Sequence, residues 1–360
     1  MSDPATARPA RGYREAELPR GTERAPADVY DAALLDLDGV VYLGGAAVAG
    51  ATQALAEARR RRMRMAFVTN NASRSPSAIA AQLNRLGVPV DPAEVVTSAQ
   101  AAARLIAERL PAGSPVLVVG GIGLRIALRE RGLRPVSTAA EQPAAVVQGY
   151  APGIDYSMLA EGGLAVRAGA WFVASNADLT LPTARGLQPG NGSLVQVIAT
   201  ATGQQPVVAG KPEPPLLAEA VARSGAARPL VVGDRLDTDI EGAVRAGADS
   251  MLVLTGVAQP ADAVLAPARQ RPTYLAHDLS GLVEPHPPVT VARSEFRCGG
   301  WTARLQPVMA GQDGQAARLD LDGEGTAIDG LRALCAAAWS AGAVNADSAR
   351  SAVGRLRFPA

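Results

Sequence analysis

Short apolar runs that end in polar or glycine-containing turns alternate along the chain with amphipathic stretches. The runs lie at residues 32–35, 65–69, 116–119, 145–148, 171–174, 207–209, 229–233 and 250–255. Such runs are typical of strands buried in a parallel sheet. The stretches at residues 50–63 and 76–86 have the apolar spacing of helices that connect parallel strands. The pattern therefore predicts an α/β protein.

The same pattern divides the chain into segments. Residues 1–29 are rich in proline, arginine, alanine and glutamate without periodicity, which predicts a disordered leader. From residue 98 to residue 205 the strands lose their polar ends, so this block is predicted to be a second α/β domain, inserted into a first domain at 30–97 and 206–283. A proline-rich linker at 284–288 precedes a small α+β region at 289–360, with a helix predicted at 328–339.

Composition and charge narrow the functional classes. The formal charge is +1, and the arginine run at 59–62 falls on the polar face of a predicted helix, so we expect no nucleic-acid partner. Two cysteines and two histidines give no basis for a disulfide framework, a zinc site or a histidine-based triad. No apolar run approaches the roughly 20 residues that span a bilayer, and no signal peptide is recognisable. These features predict a cytoplasmic protein with no membrane partner.

The first strand ends in two carboxylates. Asp36 and Asp38 lie two residues apart before Gly39, so both side chains can face the carboxyl edge of the sheet, where α/β proteins bind their ligands. Two adjacent carboxylates require a cation or a shared proton. The tetrapeptide recurs at residues 320–323, but none of the partner motifs follows that copy, and a β-turn is predicted there.

Later strand ends supply the partners that phosphoryl transfer needs. Among 35 basic residues only one is lysine, Lys211, which suggests a position that requires a compact ammonium group. We predict Asp36 as the nucleophile, Asp38 as the general acid and base, and Thr69, Asn70 and Lys211 as phosphate-binding groups. The predicted Mg²⁺ ligands are the side chains of Asp36 and Asp234 and the backbone carbonyl of Asp38, with Asp239 holding metal-bound water.

These motifs, in this order, resemble the haloacid dehalogenase superfamily and, within it, the class IIA phosphatases. The resemblance covers residues 30–283 and rests on Asp36-Leu37-Asp38-Gly39-Val40, Thr69-Asn70-Asn71, Gly210-Lys211-Pro212 and Gly233-Asp234-Arg235-Leu236-Asp237-Thr238-Asp239. It implies a Rossmann-like core with a doubly wound parallel sheet, a large α/β cap inserted at 98–205, and Mg²⁺-dependent hydrolysis through an aspartyl-phosphate.

The resemblance also bears on the substrate. The stretches at 95–100, 181–183, 189–193 and 231–241 are similar to those of actinobacterial glycerol 3-phosphate phosphatases, whose extra C-terminal region is acetyltransferase-like. This implies glycerol 3-phosphate as the small phosphorylated substrate. Phosphoglycolate, pyridoxal phosphate or a sugar phosphate are alternatives, and a catalytically weak regulator that binds a phosphometabolite is an alternative of another class.

Three polar residues of the inserted domain, Asn176, Asp178 and Asn191, are candidates to line the substrate pocket. Helix capping and turn formation would explain these residues equally well. The C-terminal region lacks the loop that cradles the pyrophosphate of acetyl-CoA, so we expect it to serve packing or dimerisation rather than acetyl transfer. A monomer and a homodimer are both compatible with the sequence.

Overall fold

The computed structural model describes residues 18–183, 185–306 and 316–358. The first part of the chain alternates strands and helices, as predicted. Its elements are β1 (Ala32–Leu35), β2 (Tyr42–Leu43), β3 (Ala46–Ala47), α1 (Ala51–Arg60), β4 (Arg64–Thr69), α2 (Pro76–Arg85), β5 (Val95–Thr97) and α3 (Ser98–Ala107). Ser75 caps α2 through the backbone N–H of Ala78, and Pro76 occupies the first turn, as expected for a helix start.

The inserted block forms a parallel sheet of its own. Its elements are β6 (Pro115–Val119), α4 (Ile122–Glu130), β7 (Arg134–Val136), β8 (Ala145–Gln148), α5 (Tyr156–Arg167), β9 (Trp171–Ala174), β10 (Thr180–Thr183), β11 (Gly186–Pro189), α6 (Asn191–Thr202) and β12 (Val207–Val208). The strand order is β12-β9-β8-β6-β7, and β10 and β11 form a separate antiparallel hairpin.

One sequence-based boundary in this block is wrong. The predicted return to the first domain at residue 206 is too early, because β12 pairs with β9 of the second sheet. The hairpin strand Gly186–Pro189 leads directly into the helix that begins at Asn191.

The chain then completes the first sheet. The remaining elements of this body are α7 (Pro214–Ser224), β13 (Pro229–Gly233), α8 (Glu241–Ala246), β14 (Asp249–Val253), α9 (Pro260–Val264) and β15 (Tyr274–Ala276), with a π-helical turn at Leu236–Ile240. The strand order is β15-β14-β13-β1-β4-β5, and every pairing is parallel. All four residues of β1 are buried, because helices cover both faces of a doubly wound sheet. The predicted α/β fold class is confirmed.

The C-terminal region is a four-stranded antiparallel sheet packed on helices. It contains β16 (Thr290–Ala292), β17 (Glu295–Cys298), β18 (Trp301–Gln306), β19 (Arg318–Gly323), α10 (Ala327–Ser340) and α11 (Ala346–Val353). The predicted turn at 320–323 is wrong, since these residues belong to β19. Leu319 and Leu321 are buried, and the intervening Asp320 points away from that core, the alternation expected of a half-buried strand.

The predicted leader is also wrong in its second half. Residues 1–17 lie outside the described part of the chain, but residues 18–29 pack on the first body. Thr22 forms a β-bridge with His286, and Ala25 and Ala27 are 3% exposed. His286 lies in the predicted linker and is itself buried. No helix in the described ranges has the length and apolar character needed to cross a membrane.

Candidate active site

Three carboxylates meet at the carboxyl edge of the first sheet. Asp36 follows β1, Asp234 follows β13, and Asp239 lies in the π-helical turn; one oxygen of each lies within 4.8 Å of the others. Gly39, which has a φ of +79°, and Gly256 leave room for Asp234, because a Cβ at either position would collide with its carboxylate. The turn after β1 thus requires glycine both for its backbone conformation and for close approach.

Lys211 lies between two of these carboxylates. Its Nζ donates to Asp36 Oδ1 at 2.5 Å and to Asp239 Oδ1 at 2.6 Å, and the residue is 4% exposed. Burial alone would lower the pKa of Lys211, but the carboxylates of Asp239 and Asp36 outweigh it and raise the pKa above its ordinary value. The ammonium group therefore remains charged and compensates part of the buried negative charge.

Asn70 holds Lys211 in place. Its Oδ1 accepts from the Lys211 backbone N–H at 2.9 Å, and its Nδ2 donates to the Lys211 carbonyl at 3.1 Å and to Asp178 Oδ2 at 3.1 Å. The side-chain amide of Asn70, predicted to bind phosphate, is thus engaged with protein groups. Thr69 ends β4 beside it, and its hydroxyl accepts from the backbone N–H of Asn71 at 3.1 Å.

Asp38 lies at the mouth of the site, and its side chain does not belong to the three-carboxylate cluster. Its Oδ2 accepts a hydrogen bond of 3.0 Å from the hydroxyl of Tyr42. The residue is exposed to solvent, yet many protein atoms surround its carboxyl group, and this desolvation raises the pKa of Asp38. A raised pKa favours the protonated form that a general acid requires.

Only one of the three candidates from the inserted block, Asp178, is partly exposed to solvent. Asn176 and Asn191 are 5% and 2% exposed; Asn176 Nδ2 donates to the carbonyl of Asn70, and Asn191 Nδ2 to that of Asn176, both at 2.7 Å. Asn176 thus connects the inserted block to the first body, and Asn191 supports it from within the inserted block. Asp178 is partly exposed, and its carboxylate lies 3.9 Å from the guanidinium of Arg235.

Comparison with known proteins places this site in a family. The model of haloacid dehalogenase-like hydrolases matches residues 33–134, and that of HAD-like hydrolases matches residues 208–282. The D-glycerol 3-phosphate phosphatase of Mycobacterium tuberculosis is 48% identical over 321 residues, which cover 89% of this chain and 88% of that protein. The chain belongs to the haloacid dehalogenase-like hydrolases.

Two further comparisons describe the relatives of this hydrolase. The crystal structure of the glycerol phosphate phosphatase of Mycobacterium tuberculosis in complex with magnesium superposes with a TM-score of 0.82 at 43% identity and covers 92% of this chain and 99% of that one. An acid sugar phosphatase of Staphylococcus saprophyticus is 37% identical over 71% of this chain and 97% of its own length. Residues 298–356 match a GCN5-related N-acetyltransferase-like domain, in agreement with the acetyltransferase-like region implied by the sequence.

The carboxylate cluster of this hydrolase is suited to a divalent cation. Burial, followed by the charges of Asp239 and Asp36, raises the pKa of Asp234 to about 7. Burial also raises the pKa of Asp36 and, to about 6, that of Asp239, although Lys211 opposes both shifts. In the described structure Asp234 Oδ1 is buried without a hydrogen-bond partner. An unsatisfied carboxylate oxygen beside two others is the donor set that Mg²⁺ prefers.

Other contacts in the hydrolase site were not predicted. Thr255 donates from Oγ1 to the carbonyl of Gly39 at 2.5 Å, and the backbone N–H of Val257 donates to Asp234 Oδ2 at 2.7 Å. These contacts join the loop after β14 to the first acidic turn and to Asp234, whereas the Tyr42–Asp38 bond lies within that turn. Tyr42 does not stand at a predicted strand end, so the sequence carried no signal for it. Thr255 ends the predicted run at 250–255, but no role was assigned to it.

Proposed function

We propose that this protein is a Mg²⁺-dependent phosphatase that hydrolyses glycerol 3-phosphate to glycerol and phosphate through an aspartyl-phosphate. The observation that carries the proposal is the buried arrangement of Asp36, Lys211, Asp239 and Asp234 beside Asp38. A carboxylate nucleophile, a fixed ammonium group and an adjacent proton donor are the groups that phosphoryl transfer from an ester requires. The identity to a D-glycerol 3-phosphate phosphatase supports the substrate.

The two carboxylates of the first acidic turn have different catalytic roles. In the first step an oxygen of Asp36 forms a bond to phosphorus while the bond from phosphorus to the glycerol oxygen breaks. Asp38, protonated at this stage, gives its proton to that oxygen. In the second step Asp38 takes a proton from a water molecule, whose oxygen attacks phosphorus and releases phosphate. Asp36 and the protonated form of Asp38 are then restored.

The remaining residues bind the phosphoryl group and the metal ion and neutralise negative charge. Lys211 lies 2.5 Å from Asp36 and can neutralise charge on the phosphoryl oxygens as they approach. Asp36, Asp234 and the backbone carbonyl of Asp38 would hold Mg²⁺, with Asp239 binding a water molecule of the ion. When bound, the ion supplies positive charge that reduces repulsion between the nucleophile and the phosphoryl group. Thr69 and the loop that follows it would bind phosphoryl oxygens.

We also propose that the inserted block acts as a cap over this site. Asp178 lies at the junction of the two bodies, where it contacts Asn70 and Arg235, and of the three candidates from the cap it is the one that is partly exposed. A second substrate class, sugar phosphates, is favoured by the similarity to acid sugar phosphatases over the cap and core.

The test is phosphate release from a panel of esters, with Mg²⁺ and with EDTA. The panel contains glycerol 3-phosphate, phosphoglycolate, pyridoxal phosphate and a sugar phosphate. Metal-dependent turnover with the highest kcat/KM for glycerol 3-phosphate would support the full proposal. Preference for another ester would retain the mechanism and replace the substrate. Absence of turnover by folded protein would favour a regulator that binds a phosphometabolite.

A further inference from the structure

Tyr42 stands directly against the proposed general acid. Its hydroxyl donates to Asp38 Oδ2 at 3.0 Å, and the residue is 5% exposed. The backbone between the two residues forms a tight turn, in which Gly39 N–H donates to the Tyr42 carbonyl at 2.7 Å and Val41 N–H to the Leu37 carbonyl at 2.9 Å. The position of the hydroxyl relative to the carboxyl group is therefore set by the same turn that carries the catalytic residues.

The positive charge of Arg74 acts on both groups. It opposes the rise in the pKa of Asp38 and of Tyr42, and the guanidinium donates to the side chain of Gln82. An arginine side chain can only donate hydrogen bonds. Arg74 therefore cannot accept the Tyr42 proton, which is directed at Asp38 Oδ2.

The bond from Tyr42 distinguishes the two oxygens of Asp38. A protonated carboxyl group has one O–H donor and one carbonyl oxygen, and the oxygen that accepts from Tyr42 is the carbonyl oxygen. The acidic proton then resides on Oδ1. As the bond from phosphorus to the ester oxygen breaks, the Oδ1–H bond breaks and the proton passes to that oxygen, leaving Asp38 ionised.

We infer that Tyr42 is the positioning residue of the general acid, selecting the oxygen of Asp38 that protonates the leaving alkoxide. This inference rests on the proposed phosphatase function. It has a specific consequence, because esters differ in their need for that proton. Glycerol leaves as a strongly basic alkoxide and requires the acid, whereas 4-nitrophenolate is a weak base that leaves without a proton.

The experiment compares kcat/KM of Tyr42→Phe for glycerol 3-phosphate and for 4-nitrophenyl phosphate, since kcat/KM covers only steps up to departure of the alcohol. We expect a loss of about 10-fold with glycerol 3-phosphate and of less than about 2-fold with 4-nitrophenyl phosphate. Tyr30→Phe is the matched control. Tyr30 is also buried, and its hydroxyl donates to Asp249 at 2.7 Å away from the site, so both esters should be affected equally and little.

A double-mutant cycle separates positioning from packing. Adding Tyr42→Phe to Asp38→Asn should cause no further loss with glycerol 3-phosphate, because the group that Tyr42 positions is already absent. Equal losses for the two esters, or a further loss in the double variant, would overturn the inference while leaving the phosphatase intact. A wild-type chain that hydrolyses neither ester would overturn the proposed function itself.

If Tyr42→Phe does not fold, Tyr42→Leu provides a second variant without the hydroxyl. Unfolding of both variants would assign Tyr42 to the core alone and overturn the inference.

Discussion

At the scale of single residues, the tetrapeptide Asp-Leu-Asp-Gly occurs twice, and its surroundings decide what the carboxylates can do. Asp36 lies 2.5 Å from Lys211 in a buried cluster, whereas Asp320 lies on β19 opposite Arg304. We expect Asp36→Asn to lower kcat at least about 10³-fold, because an amide cannot form the aspartyl-phosphate. Asp320→Asn should stay within about 2-fold. Phosphate release and thermal unfolding of both variants test this, and an active, folded Asp36→Asn protein would contradict the mechanism.

The acidic cluster also predicts how pH controls Mg²⁺ binding. The pKa of Asp234, raised to about 7 by burial and by Asp239 and Asp36, lies above the value of about 3.9 for an unfolded carboxyl group. Between about pH 8 and pH 6 its ionised fraction falls roughly tenfold, so Mg²⁺ affinity should fall by a similar factor. In EDTA, where no Mg²⁺ is bound, we expect the opposite dependence on pH for the stability of the protein. The protonated form is favoured by folding, so the free energy of unfolding should be lower at pH 8 than at pH 6.

Thermal unfolding at the two pH values, with EDTA and with increasing Mg²⁺, measures both effects. Asp234→Asn is the control, since it removes the titrating group and should weaken Mg²⁺ binding at either pH. A Mg²⁺ affinity that is the same at pH 6 and pH 8 would contradict the assignment of Asp234 to the metal.

The candidate catalytic residues could be brought together from the sequence because most of them stand at recognisable strand ends. Asp36, Asp234 and Thr69 need only the rule that parallel strands end at one edge of the sheet. The roles of Asn70 and Asn176 were not accessible, because their hydrogen-bonding groups are occupied by residues more than 100 positions away. Lys211 follows a strand of the second sheet, and its hydrogen bonds to Asn70 hold it beside Asp36 and Asp239.

At the scale of elements, one buried carboxylate joins helices of both bodies. Glu219 on α7 is 1% exposed and pairs with Arg104 of α3 at 3.3 Å and with Arg131 of α4 at 2.7 Å. Glu219→Gln should lower the free energy of unfolding by about 1–3 kcal/mol, less than a fully buried pair would cost because both arginines are partly exposed. Glu108→Gln is the control: it also pairs with Arg104, but its side chain is 58% exposed and the loss should stay below about 0.5 kcal/mol. Urea unfolding measures both, and equal effects would exclude the helix-joining role of Glu219.

The strands in the buried centre of the first sheet were predicted well from the sequence. Strands that depend on pairing elsewhere in the molecule were not. The strands β1, β4 and β13 are buried on both faces beyond their first residues, and the buried stretches are almost entirely apolar. The hairpin of β10 and β11 is largely exposed, so its residues have no apolar alternation, and only their pairing defines the strands. β12 has just two residues, and its assignment to the second sheet depends on the position of β9.

At the scale of the whole molecule, the C-terminal region shares a core with the first body. Leu252 and Leu275 of the first sheet pack in one cluster with Leu331 and Leu334 of α10. The proline-rich linker at 284–288 therefore does not separate two independent cores. Shared apolar burial instead implies that the two unfold together.

Arg332 is the polar centre of this junction. It is 5% exposed and donates to Asp329 at 2.6 Å and to the carbonyl of Leu275 on β15 at 2.7 Å, and one of its nitrogens lies 3.0 Å from His286 Nδ1. Burial, with the charge of Arg332 as a further cause, lowers the pKa of His286 to about 4, so the imidazole is neutral near pH 7 and its ring nitrogen can accept from Arg332.

Replacement of this arginine should therefore weaken the whole molecule rather than the C-terminal region alone. We expect Arg332→Leu to lower the free energy of unfolding by about 3–5 kcal/mol, because Asp329 and the Leu275 carbonyl lose a buried partner. Arg350→Leu is the control: its side chain is 64% exposed in a surface pair with Asp347, and the change should stay below about 0.5 kcal/mol. In a Trp171→Phe background, tryptophan fluorescence during urea unfolding reports on the C-terminal region through Trp301 and Trp339, and loss of phosphatase activity reports on the core. Coincident transitions in the wild type are expected from the shared cluster, whereas two separated transitions would show that the C-terminal region folds independently.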